Sequence, residues 1–433
     1  MKQEFYITAG KVLAKLKELG ADGADISVSR GKIDELNVDA GEFSLARTTI
    51  SNSLSIRALV GNRKGESYVN RYDDDAIAQA AEEAIAAANN SDSDEAEDVG
   101  ENIGEHTFDT GWTESDLGVM YDRMHEFIGA CKSEYPKAEI LQFIVRGRTG
   151  DSLFANTNGT RVYQHGGYYS VSIGVSGHNG DKTSSMQYYG FSAEELAKPF
   201  MDNAEVRRLC KEIEEQIDTV PVAGKFVGDI LVSPDCVAEF IDSVLASSVY
   251  GGSLYTGSSP WKDKLGQQVA DTCLTVEFDP FDDRFVKGSE LTSDGHLAAK
   301  HTVIENGILK NFMCSRYSAN KTGHKRAGNY GVNCIIAAGG KSFDELVAGI
   351  DNGLVLNRFS GGNPASNGDF SGVAKNSFLI KKGKIAGAVS ETMVSGNLHD
   401  MINSIGGIGN EQILDGSIAV PWMVFKGVTI SGK

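Results

Sequence analysis

The sequence predicts an α+β fold with two domains, each of which mixes antiparallel sheet with helices. Amphipathic helical segments are separated by runs of strands in which apolar and polar residues alternate. Asn-Gly pairs between such strands indicate hairpin turns. In addition, glycine accounts for 50 of the 433 residues, or about 12%, whereas its average share in proteins is about 7%. The glycines follow no period, which excludes collagen and favours many tight turns.

In the first half, helical and strand periodicities follow one another clearly. The residues 5–19 predict a helix, and alternating strands are expected at 24–28, 36–38, 43–45 and 54–58. A second helix over 77–88 follows the capping residue Asp73, and a third covers 117–131. The stretch 138–190 reads as an antiparallel meander with turns at Asn158-Gly159 and Asn179-Gly180, and a helix is expected over 193–217.

An acidic stretch at 91–105 interrupts these elements. It contains seven carboxylates and no Lys or Arg: Asp92, Asp94, Glu95, Glu97, Asp98, Glu101 and Glu105. We expect an unpaired, mobile and protease-sensitive connection, because like charges repel one another. A calcium loop is the alternative, but the spacing lacks the glycine and the terminal Glu of an EF-hand.

The best domain boundary is the segment 219–224, which carries Pro221 and Gly224. It divides the chain into an N-terminal α+β domain, 1–218, with the acidic linker inside it, and a C-terminal α+β domain, 225–433. The second domain begins with a strand at 226–232 and a helix that carries apolar residues from Val237 to Leu245. A glycine-rich, strand-dominated region follows, with one short helix near 343–350.

The charge and the apolar pattern exclude several classes of partner. With 41 Lys and Arg against 59 Asp and Glu, the net charge is −18. Contact with DNA phosphates or an anionic membrane needs a basic surface, so we expect no nucleic acid and no membrane partner. No segment approaches the roughly 20 apolar residues of a membrane span, and the start of the chain lacks the apolar region of a secretory signal. We therefore expect a cytoplasmic protein. The six widely spaced cysteines favour free thiols, although disulfides are formally possible.

The common catalytic and cofactor motifs are absent from the sequence. There is no nucleophile elbow, no phosphate loop and no dinucleotide-binding fingerprint in a strand-to-helix setting. His125 precedes Glu126, but no second histidine follows one turn later on that helix. His296 and His301 would point to opposite faces of a strand, and His165 and His178 lack a third ligand. The residues alone predict no metal site.

Two local features remain. Lys321, His324, Lys325 and Arg326 form a cationic patch, which is typical of a solvated loop or of a site that captures a carboxylate. The small-residue stretch 247–255 is either a plain loop or a place where an extended ligand lies close to the backbone.

The second half resembles the TldD/PmbA family, described as modulators of DNA gyrase. The resemblance depends on the order and spacing of several stretches and extends over nearly the whole chain. These stretches are 250–259 (YGGSLYTGSS), 264–268 (KLGQQ), 302–310 (TVIENGILK), 367–372 (NGDFSG), 378–385 (FLIKKGKI) and 395–398 (SGNL).

The resemblance implies two kinds of subunit. The TldD kind bears a zinc motif His-Glu-x-x-x-His on the helix before the glycine-rich loop, with a cysteine ligand near the C-terminus. The PmbA (TldE) kind lacks this motif and pairs with TldD to form a peptidase that acts on unfolded peptides. Here the corresponding positions are Asp242, Ser243 and Ser247, and the cysteine region reads Leu-Asp-Gly-Ser at 414–417. Ser243 cannot replace a general-base Glu, nor can Ser247 replace an imidazole.

By this resemblance, the chain is a PmbA/TldE-type subunit of an oligomer, with no zinc, no other cofactor and no catalytic residue of its own. It would supply peptide-binding surface to a zinc-bearing TldD-like partner. The expected substrate-binding residues are Tyr250, Gly251, Gly252 and Tyr255, with Lys325 and Arg326 meeting the carboxylates of the peptide. Two alternatives stay open. One is a self-sufficient peptidase with an unrecognised site, and the other is a non-enzymatic regulator that binds gyrase or another protein.

Overall fold

A computed structural model describes residues 1–286, 288–390 and 392–432. The fold is α+β, as the sequence predicts, and its strands form two large sheets. The first half contains, in chain order, α1 (Lys2–Glu18), β1 (Gly23–Asp39), β2 (Glu42–Val60), β3 (Arg63–Val69), α2 (Asp74–Asn90), β4 (Glu105–Thr110), α3 (Leu117–Glu134), β5 (Ala138–Asn156), β6 (Arg161–Asn179), β7 (Lys182–Thr183), β8 (Gln187–Ala193), a 3₁₀ turn (Phe200–Asp202) and α4 (Ala204–Glu215).

The first sheet has the strand order β3-β2-β1-β5-β6-β4, and β7 and β8 also pair with β6. Four of its strands are 17 to 19 residues long, so one face has room for two groups of helices. At one end, Ile26 and Val28 of β1 pack in the cluster that includes α1 and α2. At the other end, Leu36 and Val38 pack against α3 and α4. All four helices therefore cover the same face, because these side chains alternate along one strand.

On the opposite face, residues of the second half approach the sheet at Asp25 and Arg57. Beyond that end, no helix of the described chain covers this face, and most of its residues are small or polar. We call it the open face and define it by five rows of paired residues. From β2 across β1 and β5 to β6, the rows are Ser53–Ser29–Ser152–Gln164, Ser51–Gly31–Gly150–Gly166, Thr49–Ile33–Arg148–Tyr168, Arg47–Glu35–Arg146–Ser170 and Leu45–Asn37–Ile144–Ser172. Paired residues in antiparallel strands point to the same side of the sheet, so each row lies on one surface.

The second half forms a sheet of 14 strands. Its elements are β9 (Thr219–Val220), β10 (Lys225–Val232), α5 (Pro234–Ser248), α6 (Gly251–Tyr255), β11 (Val276–Phe278), β12 (His301–Glu305), β13 (Ile308–Leu309), α7 (Arg316–Thr322), β14 (Cys334–Ile336), α8 (Phe343–Ala348), β15 (Asn352–Leu356), β16 (Arg358–Gly361), β17 (Asp369–Lys375), β18 (Ser377–Lys381), β19 (Lys384–Val389), β20 (Thr392–Asn397), α9 (Leu398–Ile402), β21 (Ile405–Leu414) and β22 (Ile418–Ser431).

The core of the second half lies between α5 and this sheet. Val237, Ile241 and Val244 recur on one face of α5 and are almost fully buried in the same cluster as β10 and β22. Pro234 stands in the first turn of α5, where a missing backbone N–H is tolerated. The division into domains at 219–224 stays a prediction. Of that segment, Thr219 and Val220 already pair with β19 of the second sheet.

The four short strands expected near the start of the chain form two long ones, since 24–28 and 36–38 both lie in β1 and 43–45 and 54–58 both lie in β2. Two further predicted elements are wrong in part. The helix expected over 193–217 begins only at Ala204, because β8 continues to Ala193 and the side chain of Asn203 caps α4. The loop expected at 247–255 is helical over most of its length. Here α5 continues to Ser248 and α6 starts at Gly251.

Within the described chain, two of the seven carboxylates in the acidic stretch at 91–105 form ion pairs, contrary to the prediction that none is paired. Glu97 bonds to the guanidinium of Arg57 at 2.5 Å, and Asp94 pairs with Lys321 at 2.8 Å. Glu105 begins β4, which runs parallel to β6. These partners lie far away in the sequence, so the local absence of Lys and Arg gave a misleading indication.

All six cysteines are free thiols. Among the described residues, the structure contains no helix that is long and apolar enough to span a membrane.

Candidate functional site

The zinc positions implied by the family resemblance lie on the C-terminal half of α5. Asp242, Ser243 and Ser247 line a cavity of about 430 Å³ together with the turn 363–366, Gly368 and His399. The hydroxyl of Ser243 donates to the carbonyl of Glu239 at 2.9 Å. The hydroxyl of Ser247 donates to the carbonyl of Val244 at 3.0 Å. Both hydroxyl groups are therefore occupied by their own helix.

These residues do not fit a zinc ion. A catalytic zinc site takes three protein ligands, usually imidazole, thiolate or carboxylate. Of the three positions only Asp242 carries such a group, and its Oδ1 already accepts a hydrogen bond from Tyr250. Within 1–286, 288–390 and 392–432, no group of three or more His, Cys, Asp or Glu side chains is arranged to hold a metal ion.

The 414–417 segment lies away from this cavity. Asp415 accepts hydrogen bonds from the backbone of Ser417 and Ile418 and so closes a tight turn. The carbonyl of Asp415 accepts from the backbone N–H of Ser192 at 2.6 Å, on β8. The turn thus contributes to the contact between the two sheets and supplies no ligand to α5.

His399 is a residue of this cavity that the sequence analysis missed. Asn397 caps α9 by accepting from the backbone N–H groups of His399 and Asp400, and this places the imidazole against the indole of Trp261. Burial lowers the pKa of His399, so a neutral ring is favoured. The Nε2 atom of His399 is buried and has no hydrogen-bond partner among the described residues. The capping residue was visible in the sequence, but the proximity of α9 to α5 was not.

The predicted binding loop divides into residues with different roles. A Cβ atom on Gly251 would lie 2.1 Å from the hydroxyl of Ser318, so packing inside the chain requires this glycine. A Cβ on Gly252 would meet nothing within 4 Å, so this position is open. The expectation that both glycines leave room for a ligand therefore has to be corrected for Gly251.

Tyr255 lies at a cavity with a volume of about 830 Å³. The ring is 47% exposed and contacts Tyr317 edge to face at 5.7 Å. The cavity lies between the β1–β3 end of the first sheet and the segments around Asp294 and Arg316 of the second half. Of the predicted binding residues, Tyr255 is the one that reaches this space between the two sheets.

A charged network borders this cavity. The guanidinium of Arg57 bonds to Asp25 and to Glu97, both at 2.5 Å, and Arg316 approaches Asp25 at 3.7 Å. Burial raises the pKa of Asp25, although Arg57 and Arg316 oppose this shift. Asp294 accepts from the hydroxyl of Tyr330 at 2.6 Å. The network joins the first sheet to α7 and holds the two sides of the cavity together.

The cationic patch is not one surface. Lys321 pairs with Asp94, and the ring of His324 packs against Phe312 with 4.5 Å between the centroids. Lys325 is exposed, whereas Arg326 is partly buried. Burial lowers the pKa of nearby His296, and the positive charge of Arg326 lowers it further. Neither Lys325 nor Arg326 lines the cavity beside Tyr255. Their contact with substrate stays a prediction.

The open face brings together residues that the sequence analysis did not single out. Glu35 is 2% exposed and accepts a bond from Nε of Arg146, while Nη2 of Arg47 lies 2.9 Å from its Oε1. Arg148 stands in the neighbouring row and donates from Nε to the hydroxyl of Ser170 at 3.2 Å. The pairing register of four strands creates this cluster, so no local sequence motif announces it.

Models of known protein families show to which family the chain belongs. Three models match: "PmbA/TldA metallopeptidase domain 1" over 24–88, the central domain over 116–218 and the C-terminal domain over 224–432. The chain belongs to the PmbA/TldD family. It is 27% identical over 434 aligned residues to a protein of Escherichia coli O157:H7 named Metalloprotease PmbA, covering 94% of this chain and 93% of that protein.

Solved structures of similar fold include TldE from Thermococcus kodakarensis. It matches with a TM-score of 0.84 and 19% identity, over 98% of this chain and 100% of that one. A protein from Bacteroides thetaiotaomicron, described as a proposed modulator of DNA gyrase, matches with a TM-score of 0.83 and 20% identity, over 99% of both chains. The fold therefore matches these structures over nearly the whole chain. The positions that the resemblance assigns to zinc carry Asp242, Ser243 and Ser247.

Proposed function

We propose that this chain is a zinc-free PmbA/TldE-type subunit of a cytoplasmic peptidase. A TldD-like partner supplies the zinc, and the assembled oligomer degrades or processes unfolded peptides. The present chain supplies surface that binds the peptide and encloses it. In this proposal the chain has no catalytic group and no cofactor of its own.

The observation that carries the proposal is the state of α5. Ser243 and Ser247 stand at two of the three zinc-motif positions, and both hydroxyl groups donate to carbonyls of the same helix. A zinc hydroxide mechanism needs ligands, an open coordination position and a base. Asp242 alone cannot supply three ligands together with a base, although the rest of the family fold is present.

The same hydrogen bonds disfavour the alternative of a peptidase that works without a partner. The cavity beside α5 is lined by three serines, Ser243, Ser247 and Ser366, and by His399, a combination that resembles the parts of a nucleophilic site. A nucleophilic serine must donate its proton to a base, but the hydroxyls of Ser243 and Ser247 donate to helix carbonyls. Nε2 of His399 accepts no hydrogen bond from any serine of the described chain. His399 instead packs on Trp261.

Two large surfaces support a role in peptide binding. The cavity beside Tyr255, with a volume of about 830 Å³, is large enough to hold several residues of an extended chain. The open face adds a polar sheet surface that no helix of the described chain covers. The first sheet contributes to both surfaces, so a partner placed against it would enclose the peptide.

The test is cleavage of an unstructured, fluorescence-quenched peptide by this chain, by a zinc-bearing TldD-like relative, and by the mixture. We expect cleavage in the mixture far above the sum of the separate rates, and its loss when the zinc of the partner is removed by a chelator. Cleavage by this chain alone would identify a self-sufficient peptidase. Peptide or protein binding with no cleavage in any mixture would identify a non-enzymatic regulator.

A further inference from the structure

The open face carries a local excess of positive charge. Its five rows contain three arginines, Arg47, Arg146 and Arg148, and a single carboxylate, that of Glu35. The protein as a whole is strongly acidic, with a net charge of −18. A cluster of arginines on an uncovered sheet face of such a protein favours an anionic ligand there.

The three arginines differ in how far the chain itself satisfies them. Arg146 bonds to buried Glu35, and Arg47 lies 2.9 Å from the same carboxylate while its side chain is 56% exposed. Arg148 has no carboxylate partner among the described residues, since its one bond runs from Nε to Ser170. The Nη groups of Arg148 and the exposed part of Arg47 are therefore available to a carboxylate, which an arginine binds in a forked geometry.

The row beside Arg148 leaves space for a second chain. It contains Gly31, Gly150 and Gly166 on three adjacent strands. A Cβ on these residues would meet no atom closer than 3.2, 3.8 and 3.5 Å respectively, and none of the three has a positive φ. Backbone conformation does not require three glycines there, and packing leaves room for a side chain at Gly150 and Gly166, whereas at Gly31 the side chain of Ser51 would have to move slightly. Glycine nevertheless weakens a strand. Their effect is a sheet surface bare of side chains next to the arginines.

We propose that the open face binds an extended peptide segment with acidic side chains. The peptide backbone lies over the glycine row, and its carboxylates reach Arg148 and Arg47. Arg47 and Arg148 stand on β2 and β5, on either side of β1, so their backbones are about 9.6 Å apart across the sheet, the direction in which the glycine row runs. Acidic residues at alternate positions of an extended peptide point to one side at a spacing of about 6.6 Å, within reach of two long arginine side chains on these strands. The inference rests on the peptide-binding role proposed above and adds the class of peptide.

The experiment measures binding of two fluorescent peptides to the full-length chain by anisotropy. Both peptides are Gly/Ser-rich, equally long and amidated at the C-terminus, so that no terminal carboxylate contributes. One carries Glu at three alternate positions and the other carries Gln there. At low salt we expect the Glu peptide to bind at least about tenfold more tightly, with the preference reduced at high salt because salt screens exposed charges.

Variants then assign the preference to the open face. Arg148→Gln should weaken binding of the Glu peptide about tenfold and leave the Gln peptide unchanged, and Arg148→Lys should lie between the two. Arg71→Gln is the matched control, since Arg71 is 63% exposed, pairs with Asp73 at 3.5 Å and lies outside the five rows. Thermal midpoints of all variants verify folding.

The outcomes separate this inference from the proposed function. Equal affinity of the wild-type chain for both peptides, or an equal effect of Arg148→Gln on both, would overturn the preference for acidic peptides and leave peptide binding intact. Absence of binding to either peptide would overturn both the preference and the peptide-binding role of this chain.

Discussion

The hydroxyl of Tyr250 donates a hydrogen bond of 3.2 Å to Oδ1 of Asp242. Tyr250 is the residue before α6, and Asp242 stands on α5 at the position that the family resemblance assigns to the first zinc ligand. Burial, followed by the neighbouring carboxylate, raises the pKa of Tyr250 and keeps its hydroxyl protonated as a donor. The one metal-binding side chain left at these positions is thus engaged within the chain.

The two glycines at the start of α6 should respond differently to alanine. Gly251→Ala places a Cβ 2.1 Å from the Ser318 hydroxyl and should lower the free energy of unfolding by about 1–3 kcal/mol. Gly252→Ala enters open space in a helix and should leave it unchanged or raise it by up to about 1 kcal/mol. Urea denaturation measures both. Equal effects of the two substitutions would refute this assignment, as would failure of Ser318→Gly to restore part of the stability of Gly251→Ala.

Loss of Arg57 should release the acidic stretch. Arg57→Gln leaves Glu97 and the buried Asp25 without their main cationic partner, and removing one partner of a buried pair lowers stability by about 3 kcal/mol. We also expect limited proteolysis to cut the variant first within 91–105, where the wild-type chain resists. Arg71→Gln, at an exposed pair, should change stability by no more than about 0.5 kcal/mol. An unchanged cleavage pattern in Arg57→Gln would show that the pairing does not hold this segment.

Acidification should destabilise the protein through His301. Its Nε2 donates to the carbonyl of Phe312 at 3.0 Å, and its Nδ1 accepts from the backbone N–H of Gly328 at 3.3 Å, an arrangement that requires the neutral ring. Burial lowers the pKa of His301 below 6.5. The unfolded chain therefore binds more protons as pH falls below 6.5, so this contribution is complete above pH 6.5 and is lost on acidification.

The variant His301→Gln tests this pH dependence. The difference in unfolding free energy between wild type and variant should shrink from pH 7.5 to pH 5.5. His125→Gln, at an exposed histidine of α3, serves as the control and should follow the wild-type profile. A constant difference between wild type and His301→Gln would contradict the assignment.

The sequence predicts the elements of this fold well where periodicity is local. The alternation in β1 and the cap at Asp73 are confirmed, because both depend on neighbours within a few residues. The start of α4 was misplaced, since the pairing of β8 with β6 extends the strand to Ala193. Pairing of Glu97 with Arg57, 40 residues away, was equally invisible to a local reading.

The candidate site likewise contains some features that the sequence indicates and others that depend on contacts between distant residues. The family resemblance and its spacing led to the prediction that Asp242, Ser243 and Ser247 replace a zinc motif, and this stays a prediction. The contact of Gly251 with Ser318, the entry of His399 into the cavity and the arginine rows of the open face could not be predicted from the sequence. Each of these depends on the register between strands or on the packing of helices that are distant in sequence.

The zinc content of the purified chain tests the central claim most directly. After incubation with zinc and dialysis, elemental analysis should find far less than one zinc per chain, because Ser243 and Ser247 are bonded to their own helix and Asp242 to Tyr250. About one tightly bound zinc per chain would contradict the account. It would direct the search for ligands to His165, His178, His296 and His301.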